Sequence, residues 1–443
     1  MGREKLEMRN AARAHVRVGI RLLLLLFASS VLGLALLVLV YSLPGRWRMM
    51  DNLQQSVLTF ENEPEYAMTI RLYPGTQKDN FTDALMISHA LYADPGQSAL
   101  DKALHVYHEE YPGTTSQSLA QLITGYAQEE PQVVSYGRYW HGYLVFLRPL
   151  LMIMGYEDIR ACIAMVHYAL AAGLLLTVCK MGYTKLLVPL LASLLTITPL
   201  GTQVNIQFLC VYLLGLGGAW LMLTGREWFH GNRERALYFY LMWGVMTGYF
   251  DLFTYPMITL CYPLFFELFL SREAGLKSAA GMILRAGIVW SLGYFGMWAL
   301  KWTWGTVLTG ENFFADAFQA TMRHVGNEAA AATFSRWDAL LLNMKDLVRP
   351  AYGILYAVCA GLVLWRAVRR PAPRGKLAAA CLTMLAVALI PVAWICITSS
   401  HAYVHHFFTH KDLCICVLAL FGIPAMAGAG AQPSSGSRAA PGR

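Results

Sequence analysis

The sequence is poor in charge. Only 14% of its 443 residues are Asp, Glu, Lys or Arg and 56% are hydrophobic, against about a quarter charged in an ordinary soluble domain. So much apolar surface excludes a fold solvated by water on all sides. Cysteine is missing where it could staple an exposed domain. Cys162, Cys179, Cys210, Cys261, Cys359, Cys381, Cys396, Cys414 and Cys416 all fall in apolar segments, so a disulfide framework in the polar loops is excluded. The net charge of +8 sits on no soluble module with aromatic platforms or a zinc motif, which argues against a nucleic-acid partner. Neither an internal repeat nor an HExxH-type metal motif is present.

What the chain has instead is long apolar runs. Near-continuous stretches of about 17 residues or more recur, each long enough to cross a hydrocarbon core as a helix, and a bilayer forces such crossings to be helical. The fold class expected is all-α, a polytopic membrane bundle of about ten helices.

Residues 1–17 form a basic N-terminus whose Arg3, Lys5, Arg9, Arg13 and Arg17 place it in the cytoplasm by the positive-inside rule. The first span, 18–41, ends in Tyr41-Ser42-Leu43-Pro44-Gly45 without a small-x-small cleavage site and reads as an uncleaved anchor. Residues 42–158 turn polar and form an external domain. Its Tyr-Pro-Gly and Asp-Pro-Gly turns bracket two stretches of helical spacing, Phe81 to Tyr92 and Gln117 to Tyr126, so short helices and no strands are expected. Within it, 143–154 reads as an interfacial or re-entrant segment.

Six further spans fill 159–304, with limits near 159–180, 186–202, 205–224, 236–251, 254–270 and 284–304. An external amphipathic segment occupies 305–349, three last spans fill 350–428, and a Gly/Ala/Ser/Pro-rich tail, 429–443, is expected to be disordered in the cytoplasm. The protein is thus expected in the cell membrane with both termini inside, most basic residues on the inner side and most acids outside.

Four polar clusters fall on the external side. Lys78-Asp79-Asn80-Phe81-Thr82-Asp83 leads into a helix. Asp79 reads as its N-cap, and the two carboxylates, four apart, share one face, where one could serve as a general base. Arg138-Tyr139-Trp140-His141 sets a guanidinium and an imidazole among interfacial aromatics, where they and Arg148 could hold a phosphate or diphosphate headgroup. Asp251 lies in the short turn Phe250-Asp251-Leu252-Phe253-Thr254-Tyr255-Pro256; a carboxylate at bilayer depth costs about 2.5–3.5 kcal/mol on insertion scales, so it should cap the next helix or reach a partner such as a His or Arg. The fourth cluster carries His401, His405, His406, His410 and Lys411. His401 and His405 share a helical face, as do His406 and His410, but no third ligand is defined. An anionic headgroup or sugar phosphate suits them better than a divalent metal, and no cofactor is expected.

This layout of an uncleaved first span, a helical first external loop with acids, a re-entry helix and many further spans resembles the GT-C superfamily of membrane glycosyltransferases. The stretches Asp79-Asn80-Phe81-Thr82-Asp83, Phe250 to Pro256 and His401-Ala402-Tyr403-Val404-His405 are similar to segments of bacterial membrane proteins of that type. The resemblance implies an inverting transfer of a sugar from a polyprenyl-phosphate donor to an acceptor, with Asp79 or Asp83 as base. Asp51 also falls where many members carry an acid. Arg138, His141, Arg148, His401, His405 and His406 would face the phosphate, and Asp251 would orient a histidine or a sugar hydroxyl. Two other readings stay open: a transporter or flippase of a lipid-linked sugar or other anion, and a polysaccharide ligase or polymerase. The partners expected are the lipid-phosphate donor and membrane lipids.

The topology is open to direct test. In a background lacking native cysteines, cysteines introduced at Asn62 and Asn327 should react with an impermeant thiol reagent in intact cells and one at Arg370 should not; labelling at Arg370 alone would invert the map.

Overall fold

A computed structural model describes residues 2–127, 129–197, 201, 204–230, 232–325, 334–369 and 371–428. The tail 429–443 and positions 327 and 370 lie outside the described residues.

The described chain is almost entirely helical. Among the described residues six helices are long and apolar enough to cross a membrane: Arg13–Ser42, Tyr156–Lys180, Leu276–Thr309, Pro350–Arg369, Arg374–Ile397 and His406–Ala427. Three shorter apolar helices, Thr184–Thr196, Leu209–Thr224 and Met257–Leu270, occupy the expected segments 186–202, 205–224 and 254–270. At about 1.5 Å per residue they fall short of a hydrocarbon core roughly 30 Å thick. The segment 143–154 contains the eight-residue helix Leu144–Leu151, about 12 Å long and far too short to cross.

Glycine sets the closest helix packing. Arg233–Phe250 carries Gly244 and Gly248, four residues apart, against Leu276–Thr309 with its Gly293. A Cβ on Gly244 would collide with the Trp290 carbonyl, and one on Gly293 with that of Leu241. This is the small-xxx-small logic of membrane helices, in which missing side chains let backbones approach and gain dispersion contact.

The polar segment 42–158 holds helices Asn80–Leu91 and Thr115–Thr124, within two residues of the stretches expected. Asp79 caps the first through a 3.0 Å bond from the Thr82 amide, and a Thr114–Gln117 capping box starts the second. The expectation of helices alone is corrected. Tyr107–Glu110 pairs antiparallel with Gln132–Ser135, two four-residue strands that fall outside both helical stretches and bracket the second helix.

Three buried cations tie this segment to the bundle through main-chain carbonyls. Arg148 donates to Val40, Ala90 and Tyr92. Lys301, with no exposed surface, donates to Ala103 and Leu104 at 2.9 and 2.8 Å. Lys411, equally buried, donates to Gly75 and Ile197 at 2.7 and 3.1 Å.

Candidate functional site

The two acids of the first cluster have different environments. Asp83 is fully buried and accepts from the Tyr156 hydroxyl at 2.8 Å and from the backbone amides of Ile206 and Gln207 at 3.0 and 3.3 Å. It is a bracket that holds the segment 205–207 onto the helix Asn80–Leu91. Burial pushes its carboxyl up to about 6, against the hydrogen bonds from Ile206 and Tyr156. Asp79, also buried, uses one oxygen for its cap and receives the Gln207 side-chain amide on the other at 2.6 Å. Its pKa is raised as well, burial outweighing the bonds from Thr82 and Gln207.

Gln207 covers Asp79, and its neighbour Phe208 carries the wall onward. The Phe208 ring lies 5.7 Å from that of Phe408, which stacks on His405 at 5.3 Å. The first and fourth clusters, some three hundred residues apart in sequence, are therefore in continuous contact.

The second and third clusters meet at a cleft of about 180 Å³, and the fourth reaches it through His401 packed on Phe253. Phe253, Phe295, Trp298, Trp302 and Trp394 wall it, and Arg138 is the one charged residue of its lining among the described residues. The Phe253 ring sits 5.6 Å from Trp298, 5.5 Å from Trp394 and 4.7 Å from His401. Phe253 holds this position with φ of 65°, a left-handed conformation that costs a non-glycine residue about 1–2 kcal/mol and is tolerated where packing over-determines it. Phe295 and Ile397 are 46% and 55% exposed, so the mouth of the cleft lies on the outer surface of two candidate spans. Arg138 stands 4.3 Å over the Tyr136 ring and 3.5 Å from the carboxylate of Asp316. Asp316 belongs to the helix Phe313–Val325, whose Ala317 and Ala320 roof the cleft.

The other expected site residues are placed as follows. Asp251 accepts from the amide and hydroxyl of Thr254, at 3.0 and 2.6 Å. It is satisfied inside its own turn and fixes the conformation that presents Phe253. His141 is buried, its ring nitrogens engaged by the Tyr143 hydroxyl at 3.0 Å and the Tyr136 carbonyl at 2.8 Å. Burial pushes its pKa down to about 3, so at neutral pH it carries no charge for a phosphate. Arg148 is turned onto the three carbonyls named above, away from any cleft. The sequence expectation that these two face a phosphate meets a physical obstacle in that both are consumed by the fold.

His406 is different. Its Nδ1 lies 2.5 Å from the carboxylate of Asp346, which Arg349 holds from the other side at 2.7 Å. Asp346 is buried, whereas the His406 side chain keeps 29% of its surface exposed. Burial raises the Asp346 pKa, but the bonds from His406 and Arg349 and the charge of His410 bring it below its ordinary value. The His406 ring is thus fixed by a buried carboxylate on one nitrogen while part of it stays open to solvent. Sequence reasoning missed Asp346, whose one signal was the i, i+3 spacing to Arg349, and missed Gln207, whose partner lies 128 residues away. Among the described residues no three His, Cys, Asp or Glu side chains are arranged to hold a metal ion.

No family model, curated protein or solved structure matches the chain.

Asp83 supplies a stability test. Its folded pKa, about 6, exceeds the ordinary 3.8, so its contribution is fully present below pH 3.8 and lost as pH rises through 6. Replacing it by Ala leaves the Tyr156 hydroxyl and two amides without their acceptor, at about 1–3 kcal/mol for each buried group unsatisfied. Asp83→Ala should lower the unfolding midpoint across the range, and the wild-type-minus-variant difference should shrink between pH 4 and 7. A midpoint unchanged at pH 5 would refute the bracket.

Proposed function

We propose that the chain is a membrane-embedded glycosyltransferase that takes a sugar from a polyprenyl-phosphate donor, with about ten crossings and its polar clusters on the external face. The observation that carries this reading is the cleft. An aromatic slot opening sideways on the surface of two candidate spans, with one guanidinium in its lining, suits an apolar chain that ends in a phosphate. At 180 Å³ it is smaller than the roughly 300–1,000 Å³ of a drug-sized pocket, so it takes the first stretch of a lipid chain and leaves the rest in the bilayer.

In this reading Arg138 binds the phosphate. It is pre-oriented by stacking on Tyr136, and Asp316 on the roof helix is the counter-ion that the phosphate displaces. His406, held by Asp346, stabilises the negative charge left on the phosphate when the glycosidic oxygen departs. Asp79 is the base that takes the acceptor's proton, and its raised pKa brings it nearer the working range of a general base. Asp83 acts through position, anchoring the segment whose Gln207 covers Asp79. That cover must swing aside for an acceptor to reach Asp79, which makes Gln207 a gate.

A transporter of lipid-linked sugars would also use an aromatic slot, but its cationic groups need no base beside them. The lack of an internal repeat also disfavours it, since many transporters are built from related halves.

With purified protein and a panel of polyprenyl-phosphate sugars, Asp79→Asn should lower turnover about 10²- to 10⁴-fold, the usual contribution of a general base, while donor binding stays nearly intact. Asp51→Asn is the control. Normal turnover in Asp79→Asn, with turnover abolished in Asp51→Asn, would move the base to the end of the first span.

A further inference from the structure

A larger cleft lies far from these clusters, at the opposite end of the bundle. It measures about 430 Å³ and runs between the end of Pro350–Arg369 and the end of Cys414–Ala427. Its floor is apolar, with Val363 and Phe421, and its rim carries Lys185, Arg366 and Arg369, with no acidic residue in the lining among the described residues. Arg366 and Arg369, three apart on one helix, share a face, and the Arg369 guanidinium rests 5.3 Å above the Trp365 ring. Cations in the last turn of a helix favour its dipole, which explains two of the charges. It explains neither Lys185, which comes from a different element, nor the cavity the three surround.

The helix Pro350–Arg369 adds a second observation. Only 6% of its apolar window is buried, and Ile354, Leu364 and Val368 are 68%, 63% and 81% exposed. A helix this bare on a candidate span has lipid as its neighbour.

We propose that this cleft is a binding site for an anionic phospholipid, with the phosphate between Lys185, Arg366 and Arg369 and an acyl chain along Val363 and Phe421. Charge complementarity selects this occupant. The rim is cationic, and a zwitterionic lipid brings its own cation into a cationic site. The bound lipid fills the gap behind an otherwise weakly packed helix and so stabilises the fold by mass action. The proposal is independent of the transfer reaction.

The test uses the full chain in neutral detergent, with native mass spectrometry for bound lipid and thermal unfolding as readouts. Phosphatidylglycerol should bind and raise the unfolding midpoint, whereas phosphatidylcholine and inorganic phosphate at the same concentration should not. A membrane-surface cation is worth about a factor of five in binding, so Arg366→Gln/Arg369→Gln should weaken phosphatidylglycerol binding about thirtyfold. Lys185→Gln should weaken it about fivefold, and Lys277→Gln, a basic residue outside the cleft, should leave it unchanged. Equal stabilisation by phosphatidylcholine, stabilisation by inorganic phosphate alone, or undiminished binding in both rim variants would overturn the proposal. The single Lys185→Gln change decides the matter if the double variant does not fold.

Discussion

The structure depends on buried cations bonded to main-chain carbonyls. The last carbonyls of a helix have no partner in the helix and carry the negative end of its dipole. Arg148 satisfies those at the ends of Gly2–Ser42 and Asn80–Leu91, Lys301 those of Ala99–His105, and Lys411 that of Ile197 at the end of Leu187–Thr196. A lone buried charge is very costly, yet here each donor group meets two or three main-chain carbonyls. Charge and helix end offset each other's burial.

Each staple has one foot in the segment 42–158 and one in the bundle, so that segment is tied to the helices that carry the cleft. That tie aligns the remaining parts. Asp83 can bracket residues 205–207, Gln207 can cover Asp79, and Phe208 can reach Phe408 and the histidine segment. The turn held by Asp251 fixes Phe253 against Trp298, Trp394 and His401. Groups spread from residue 79 to residue 406 are joined by packing.

The helices of this fold were legible where local chemistry determined them. Asp79 announces a cap, and apolar runs announce membrane helices, six of which meet the length required. The short strands were not legible, since four-residue segments held by cross-strand pairing leave little periodicity. The roles of charged residues were the hardest to read. Arg148 and His141 look like phosphate ligands in a linear string because their actual partners, carbonyls and a tyrosine hydroxyl, have no sequence signature. Asp251 was legible as a residue that must be satisfied, and its partner proved to be Thr254, three positions on. Asp346 behind His406 was invisible because the pair is formed across sixty residues.

The central claim is that the aromatic cleft beside Arg138 receives the lipid chain of a phosphate-bearing donor. It is tested most directly by photolabelling the purified protein with a polyprenyl phosphate that carries a diazirine near its phosphate end, then mapping the modified peptides. The account predicts label on the segments containing Trp298, Trp302 and Trp394, competed by unlabelled polyprenyl phosphate and strongly reduced in Arg138→Gln. Label confined to the outer face of Pro350–Arg369, or undiminished in Arg138→Gln, would contradict it.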